Sequence, residues 1–232
     1  MSDLTARTTP RSLGPGRYAL DVEAGWRQGR GAFGGLVVGA GLGGVLAGAW
    51  GVTAPFWFGV MSIQHAGMPT SRRIAWYAVD PERPAVDVPG LKENRYKLRE
   101  TRRILYDRDS RPYFGNLAEE AEAGKEVPVL GPPDNRGLLR QLFVVGNFAV
   151  GPNVLNDGAV MMSEQTMAEV FGAWWSDRPA FIAIKLNPSA DPVATQAQLN
   201  RALAGRGEAI TLHEFERRER NYWSRETPVG YK

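Results

Sequence analysis

PFWFGVMSIQHAGMPTSRRIAWYAVD, residues 55–80, is the stretch on which the reading of the fold turns. Pro55 to Ile63 is enriched in aromatic and β-branched side chains, which suit a pleated surface. Gly67-Met68-Pro69 then supplies turn chemistry, and beyond Arg72 the residues Ile74, Trp76 and Ala78 alternate with Arg73, Ala75 and Tyr77. Period-two alternation after an aromatic run and a turn predicts a β-hairpin. Asp80-Pro81 and Val88-Pro89-Gly90 end the second strand, because proline offers no backbone donor to a sheet.

Working outward toward the C-terminus, LKENRYKLRE (91–100) reads as a polar helical connection, and Ile104 to Tyr106 as a short buried strand. Asp109 or Ser110 is the expected cap of the next helix, and Gly124 is placed to end it. Gln141 to Phe148 and Ala159 to Met162 are the next strands, after which Ser163 caps a helix running to Phe171. FIAIKLN (181–187) is a strand, and Asp191-Pro192 opens a helix with proline at its first position. Leu199 and Leu203 share a face of that helix, Gly205 and Gly207 close it, Ala209 to Leu212 is read as a strand, and Glu214 to Arg225 as a charged helix. Strand, helix and strand of these lengths make a split β-α-β unit. The expectation is an α+β fold with small mixed sheets, neither all-helical nor doubly wound.

Toward the N-terminus the chain changes character. No Asp, Glu, Lys or Arg occurs between Arg30 and Arg72, and the run opens with GAFGGLVVGAGLGGVLAGAWGV (31–52). It is long enough for a bilayer, which takes about 20 apolar residues. Arg7, Arg11, Arg17, Arg27 and Arg30 precede it, so a span here would leave the N-terminus cytoplasmic and export the remainder of the chain. Gly34, Gly35, Gly39, Gly41, Gly43, Gly44, Gly48 and Gly51 act against insertion by lowering helix propensity and apolar area. Asp21 and Glu23, with the late start of the run, argue against a cleaved signal peptide. The organisation expected is a Gly-rich apolar leader over 1–54, as a membrane span or a fused fragment, joined to a domain over 55–232.

The leader also contains Gly39-Ala40-Gly41-Leu42-Gly43-Gly44 after Leu36-Val37-Val38, the G-x-G-x-x-G pattern of dinucleotide-binding turns. A Rossmann-type oxidoreductase binding NAD or FAD is thereby an alternative. Against it, the next acidic residue is Asp80, Pro55 cuts the crossover helix short, and no second parallel strand follows in time.

The 232 residues are 43% hydrophobic and 23% charged with a net charge of +3, which suits one large or two small folded domains. Neither a disordered polyelectrolyte nor a strongly basic nucleic-acid binder has this balance. ERRERNYW (216–223) interleaves carboxylates with its arginines, the pattern of a solvated helix face. With no cysteine, thiol catalysis, Cys-bound zinc, iron–sulfur clusters and disulfides are excluded. His65 and His213 are the only histidines and neither sits in a motif. Asp107 and Asp109, two apart, point to opposite sides of a strand and read as turn and cap groups. Asn187, Asp191 and Glu119-Glu120 lack a convergent partner. No catalytic residue, cofactor ligand or metal ligand is therefore nominated. Trp174, Trp175 and Trp223 are candidates for docking surface or for core.

Two family resemblances complete the reading. YALDVEAGWRQGRGAFGGLVV, Tyr18 to Val38, resembles the opening of hotdog-fold acyl-CoA thioesterases. Gly25-Trp26, Gln28-Gly29-Arg30 and Phe33-Gly34-Gly35 stand where that family has a strand, a turn and the start of its central helix. This implies a thioesterase fragment as an alternative and carries over no catalytic residue.

The wider resemblance rests on VDPERPAVDVPGL (79–91), ILYDRDSRPYFG (104–115), VVGNFAVG (144–151), IKLNPSADPVATQAQLN (184–200) and EFERRERNYWSRETPVG (214–230). In this order and spacing they resemble the extracytoplasmic domain of DevC-type, FtsX/MacB-like permeases of ABC exporters, over about residues 55 to 230. The resemblance implies a MacB-like periplasmic core domain that is not an enzyme and sits at the inner membrane facing the periplasm. Its implied partners are a separate ABC ATPase subunit and a periplasmic membrane-fusion adaptor leading to an outer-membrane channel. The implied cargo is amphiphilic, a homodimer is compatible, and no nucleic acid is involved. In that family a first membrane helix precedes the domain and a segment like Thr227-Pro228-Val229-Gly230 leads into the second. Here the Gly-rich leader takes the place of the first span and the chain ends at Lys232, so the expectation spans a functional protein, a truncated permease and a gene fusion.

Overall fold

The computed structural model describes residues 52–226 apart from 67, 153–155, 177 and 206. In the leader it describes the backbone of four short strands, β1 (Arg11–Gly14), β2 (Arg17–Ala19), β3 (Arg27–Gln28) and β4 (Gly31–Ala32). β1 pairs with β2 and β3 with β4, both antiparallel. The glycine run with its G-x-G-x-x-G pattern, most of the thioesterase-like segment, Thr227 to Gly230 and the Trp223 side chain lie outside the described residues. Among the described residues no helix is long and apolar enough to cross a membrane. The chain resolves into two compact units, Val52–Ile184 and a second made of Met1–Gly51 with Lys185–Lys232.

In the first unit the expected hairpin forms: β5 (Val52–His65) and β6 (Arg72–Val79) pair antiparallel from Phe56 opposite Val79 to Ile63 opposite Arg72. Gly67 of the expected turn lies outside the described residues, and Met68 N–H closes the connection on the His65 carbonyl at 2.9 Å. Five more strands follow, β7 (Arg103–Asp107), β8 (Val127–Pro133), β9 (Leu139–Phe148), β10 (Ala159–Ser163) and β11 (Phe181–Lys185). With the hairpin they form one seven-stranded mixed sheet in the order β11-β5-β6-β10-β7-β9-β8, where several small sheets were expected. β10 runs parallel to β6 and β7 parallel to β9. The far end of β5 also pairs with β8, Gln64 opposite Leu130 and His65 opposite Val129, and so closes six strands on themselves. The 14-residue length of β5 permits this, since near its start the Ala180 N–H bonds the Phe56 carbonyl beside β11.

Both faces of the sheet are covered. Trp57, Ile74, Trp76, Ile104, Val144 and Met162 belong to one buried cluster. Ala75, Val79, Leu105, Val145 and Met161 belong to the other, with Leu91 and Leu98. Those two leucines come from the LKENRYKLRE connection, which is α1 (Leu91–Asn94) continued by a 3-10 turn over Arg95–Arg99. A sheet with both faces occupied loses the in/out polarity signal on its central strands.

Other connections differ from expectation in informative ways. α2 (Leu117–Glu122) starts after Asn116 and makes no side-chain cap bond there. Neither Asp109 nor Ser110 caps it: Ser110 Oγ accepts the Ala159 N–H at 3.4 Å, and the Asp109 N–H donates to Asp107 Oδ1 at 3.2 Å. Gly124, at φ 78°, does end the helix. β8 was not expected, while α3 (Glu164–Phe171) is capped by Ser163, whose Oγ accepts the Thr166 N–H at 3.1 Å.

In the second unit, α4 (Pro192–Leu203) opens as expected, with Asp191 Oδ1 accepting the Val193 N–H at 2.9 Å. The strand expected over Ala209 to Leu212 does not form. Asn200 Oδ1 accepts the Ala209 N–H at 2.7 Å, and the Asn200 and Gln196 amides donate to the Ala209 carbonyl at 3.0 and 3.2 Å. With its backbone groups taken, Ala209 cannot join a ladder, and Thr211 instead caps α5 (Leu212–Asn221). The split β-α-β unit read across this region therefore lacks its second strand.

Candidate functional site

Three of the motif segments meet at one end of the sheet. β7, from ILYDRDSRPYFG, and β9, from VVGNFAVG, run in parallel register from Arg103 opposite Phe143 to Asp107 opposite Phe148. Asp107, the last residue of β7, is fully buried. Its Oδ1 accepts the Val150 N–H at 3.1 Å and the Asp109 N–H at 3.2 Å, tying the turn after β7 to the exit of β9. The Arg108 N–H adds a bond to the Phe148 carbonyl at 3.0 Å.

The VDPERPAVDVPGL segment closes on the same place. The Ala149 N–H donates to the Pro89 carbonyl at 2.9 Å. Gly90 sits at φ 82°, and a β-carbon there would lie 2.8 Å from the Asn147 carbonyl oxygen, so backbone meets backbone. Asn94 Nδ2 donates to both the Gly90 and the Asn147 carbonyls at 3.0 Å, and Lys97 Nζ to the Val145 carbonyl at 2.8 Å. From the other side, Asn147 Nδ2 donates to the Ala118 carbonyl of α2 at 2.8 Å.

Burial pushes the Asp107 carboxyl above its ordinary value, against the pull of the Val150, Asp109 and Gly151 N–H groups, and the Asp109 charge adds to the rise. Tyr77 is raised by burial and then by the Asp107 charge. Tyr106 is pushed up to about 12, chiefly by burial; a hydrogen bond with Ser110 opposes the rise and the Asp107 and Glu119 charges add to it. Asp107 Oδ2 is buried and meets no donor among the described residues. A buried carboxyl beside tyrosines that stay protonated fits a structural staple. It does not form an acid/base pair with Asp109, which is exposed on the turn.

The remaining sequence-named residues are dispersed. His65 ends β5, His213 is exposed on α5, Glu119 and Glu120 lie on α2, and Asp191 caps α4. Among the described residues no three His, Asp or Glu side chains gather as metal ligands would. Trp175 belongs to the core: its carbonyl accepts from Trp57 Nε1 at 2.9 Å and its ring meets Trp76 edge-on at 5.6 Å. Trp174 is exposed, with Arg178 stacked over it at 5.4 Å. On α5, Arg217 and Arg218 bond Glu214, and Arg218 also bonds Glu208 at 2.7 Å. These hydrogen bonds hold the Glu214 carboxyl below the usual range. The helix thus presents paired charges, not a row of free cations.

Sequence reasoning missed the backbone contact between Gly90 and Asn147. The signal available for it was Val88-Pro89-Gly90, read only as a strand stop.

No family model and no curated protein sequence matches the chain. Among solved structures it is similar to the extracellular domain of YknZ, a noncanonic ABC-type transporter from Gram-positive bacteria. The identity is 10% and the TM-score 0.48, with 75% of this chain and 83% of that one covered. A domain of a protein classed as a permease, from Porphyromonas gingivalis, is similar at 10% identity and TM-score 0.38 with the same coverage.

Proposed function

We propose that the chain acts as the extracytoplasmic domain of an ABC-type export permease. The domain extends over residues 55–232 and faces the periplasm at the inner membrane. It couples a separate ATPase to a periplasmic adaptor for export of an amphiphilic substrate, and it works through surfaces without catalytic side chains. The observation that carries this reading is the junction around Asp107. Three of the five segments of the motif series, far apart in sequence, are bonded to one another there.

Reporter fusions after Lys232 test the reading. Alkaline phosphatase, which folds only outside the cytoplasm, is expected to be active there, and a fluorescent protein that matures only in the cytoplasm is expected to stay dark. The reverse pattern would overturn the proposal.

A further inference from the structure

Where the turn between β8 and β9 closes, two adjacent leucines stand exposed, Leu138 at 64% in the turn and Leu139 at 50% as the first residue of β9 opposite Pro133. The turn is rigid. The Asp134 N–H donates to the Leu138 carbonyl at 2.8 Å, and Asp134 Oδ1 accepts the Arg136 and Leu138 N–H groups at 2.8 and 3.0 Å. Gly137 takes the left-handed backbone the turn needs, at φ 80°. The Arg140 guanidinium is fixed across the base of the turn on the Pro133 carbonyl at 2.7 Å, and Arg136 is exposed beside the leucines. The one acidic group, Asp134, is turned into the loop by its bonds to backbone N–H groups, leaving two arginines to set the sign of the outer surface.

The position of this tip follows from register. Trp57 pairs with Ala78, Ala78 with Met162, Met162 with Ile104, and Ile104 with Val144. Along this ladder β5 and β9 run in the same direction, so Val52 and Leu139, each five positions before its member of the ladder, lie toward the same end of the sheet. The tip therefore projects at the end of the sheet where β5 begins.

We propose that the β8–β9 tip seats on an anionic phospholipid surface, Leu138 and Leu139 entering the acyl boundary while Arg136 and Arg140 meet the phosphates. Exposed leucines at the close of a turn suit a deformable lipid phase, and flanking arginines supply attraction to anionic headgroups. That this surface is the inner membrane rests on the function proposed above; lipid binding itself does not.

The chain has no cysteine, so Leu138→Cys creates a unique thiol for an environment-sensitive fluorophore in the full-length protein. Glu122→Cys, exposed on α2, serves as the reference. With equimolar phosphatidylcholine–phosphatidylglycerol vesicles, the label at 138 is expected to shift to the blue and to be quenched by spin-labelled acyl chains, while the label at 122 does neither. In the variant labelled at 122, vesicle affinity measured by co-sedimentation is expected to fall about tenfold or more on Leu138→Ser with Leu139→Ser. Arg136→Glu is expected to weaken it as well, with thermal melts unchanged because these side chains are exposed. A label at 138 that stays in water on both anionic and pure phosphatidylcholine vesicles overturns the proposal, even if the chain binds lipid elsewhere. A shift seen only when membrane proteins are present also overturns it, in favour of a protein partner. Neither result touches the fusion test of membrane orientation.

Discussion

The indole of Trp76 occupies the space that a β-carbon on Gly59 would need: built there, that atom would stand 2.8 Å from the ring of its neighbour across the β5–β6 hairpin. The ring has nowhere to retreat, since it stacks on Phe171 at 4.7 Å and meets Trp175 edge-on. Gly59→Ala is expected to cost about 1–3 kcal/mol, the usual penalty of overpacking a filled core. Urea denaturation followed by tryptophan fluorescence measures it, and an unchanged midpoint would show that the indole can yield.

Asp107→Asn is expected to flatten part of the pH dependence of stability. Because burial raises the folded-state value of Asp107, the folded protein binds its proton more tightly than the unfolded chain. That contribution is present in acid and is lost as pH rises from the ordinary carboxylate value through the raised one. The arginine-paired Glu82, Glu208 and Glu214 and the turn residue Asp134 are lowered and act in the opposite sense. The informative quantity is therefore the difference between wild type and variant across mild acid. Asparagine keeps an acceptor for Val150 and Asp109. Asp107→Leu does not, and is expected to be less stable than Asp107→Asn because the Val150 and Asp109 N–H groups lose their acceptor.

Gly90→Ala combines a left-handed backbone with a 2.8 Å approach to the Asn147 carbonyl. Strain of this kind costs about 1–2 kcal/mol for the conformation alone. Faster amide exchange at Ala149 and Val150, with protection retained in the β5–β6 hairpin, is the expected signature. Uniform loss across both would mean that the junction does not open locally.

Ser163→Ala is expected to cost about 1 kcal/mol as loss of a helix cap. The loss reaches further than the cap. Ser163 Oγ also donates to Thr166 Oγ1, which in turn accepts the N–H of Arg102, a residue at φ 65°. A change in the circular dichroism of α3 larger than the fall in overall stability would indicate fraying of that helix alone.

What could be read in the sequence was local. The alternation around Trp76, the Ser163 cap and the Asp191-Pro192 start are fixed by neighbours within a few residues, and each forms as expected. β8 was hidden because Pro128, Pro132 and Pro133 oppose a strand locally; it accommodates them because β5 bonds it only at Val129 and Leu130. Ala209 to Leu212 looked like a strand because nothing local reveals that Asn200 claims the backbone of Ala209. The junction itself depends on contacts between Gly90, Asp107 and residues 147–150, more than 35 positions from either. In the sequence Gly90 stands out only as part of a strand stop, and Asp107 only as a turn or cap residue.

The way the sheet ends bears on how copies of the chain coexist. β11 is five residues long, follows Pro179 and finishes on Lys185, while β8 at the other end carries three prolines and is partly covered by β5. Short, charged or proline-bearing borders are poor templates for strand addition. The seven-stranded sheet of one copy thus offers little open border on which a strand of the seven-stranded sheet of another could add.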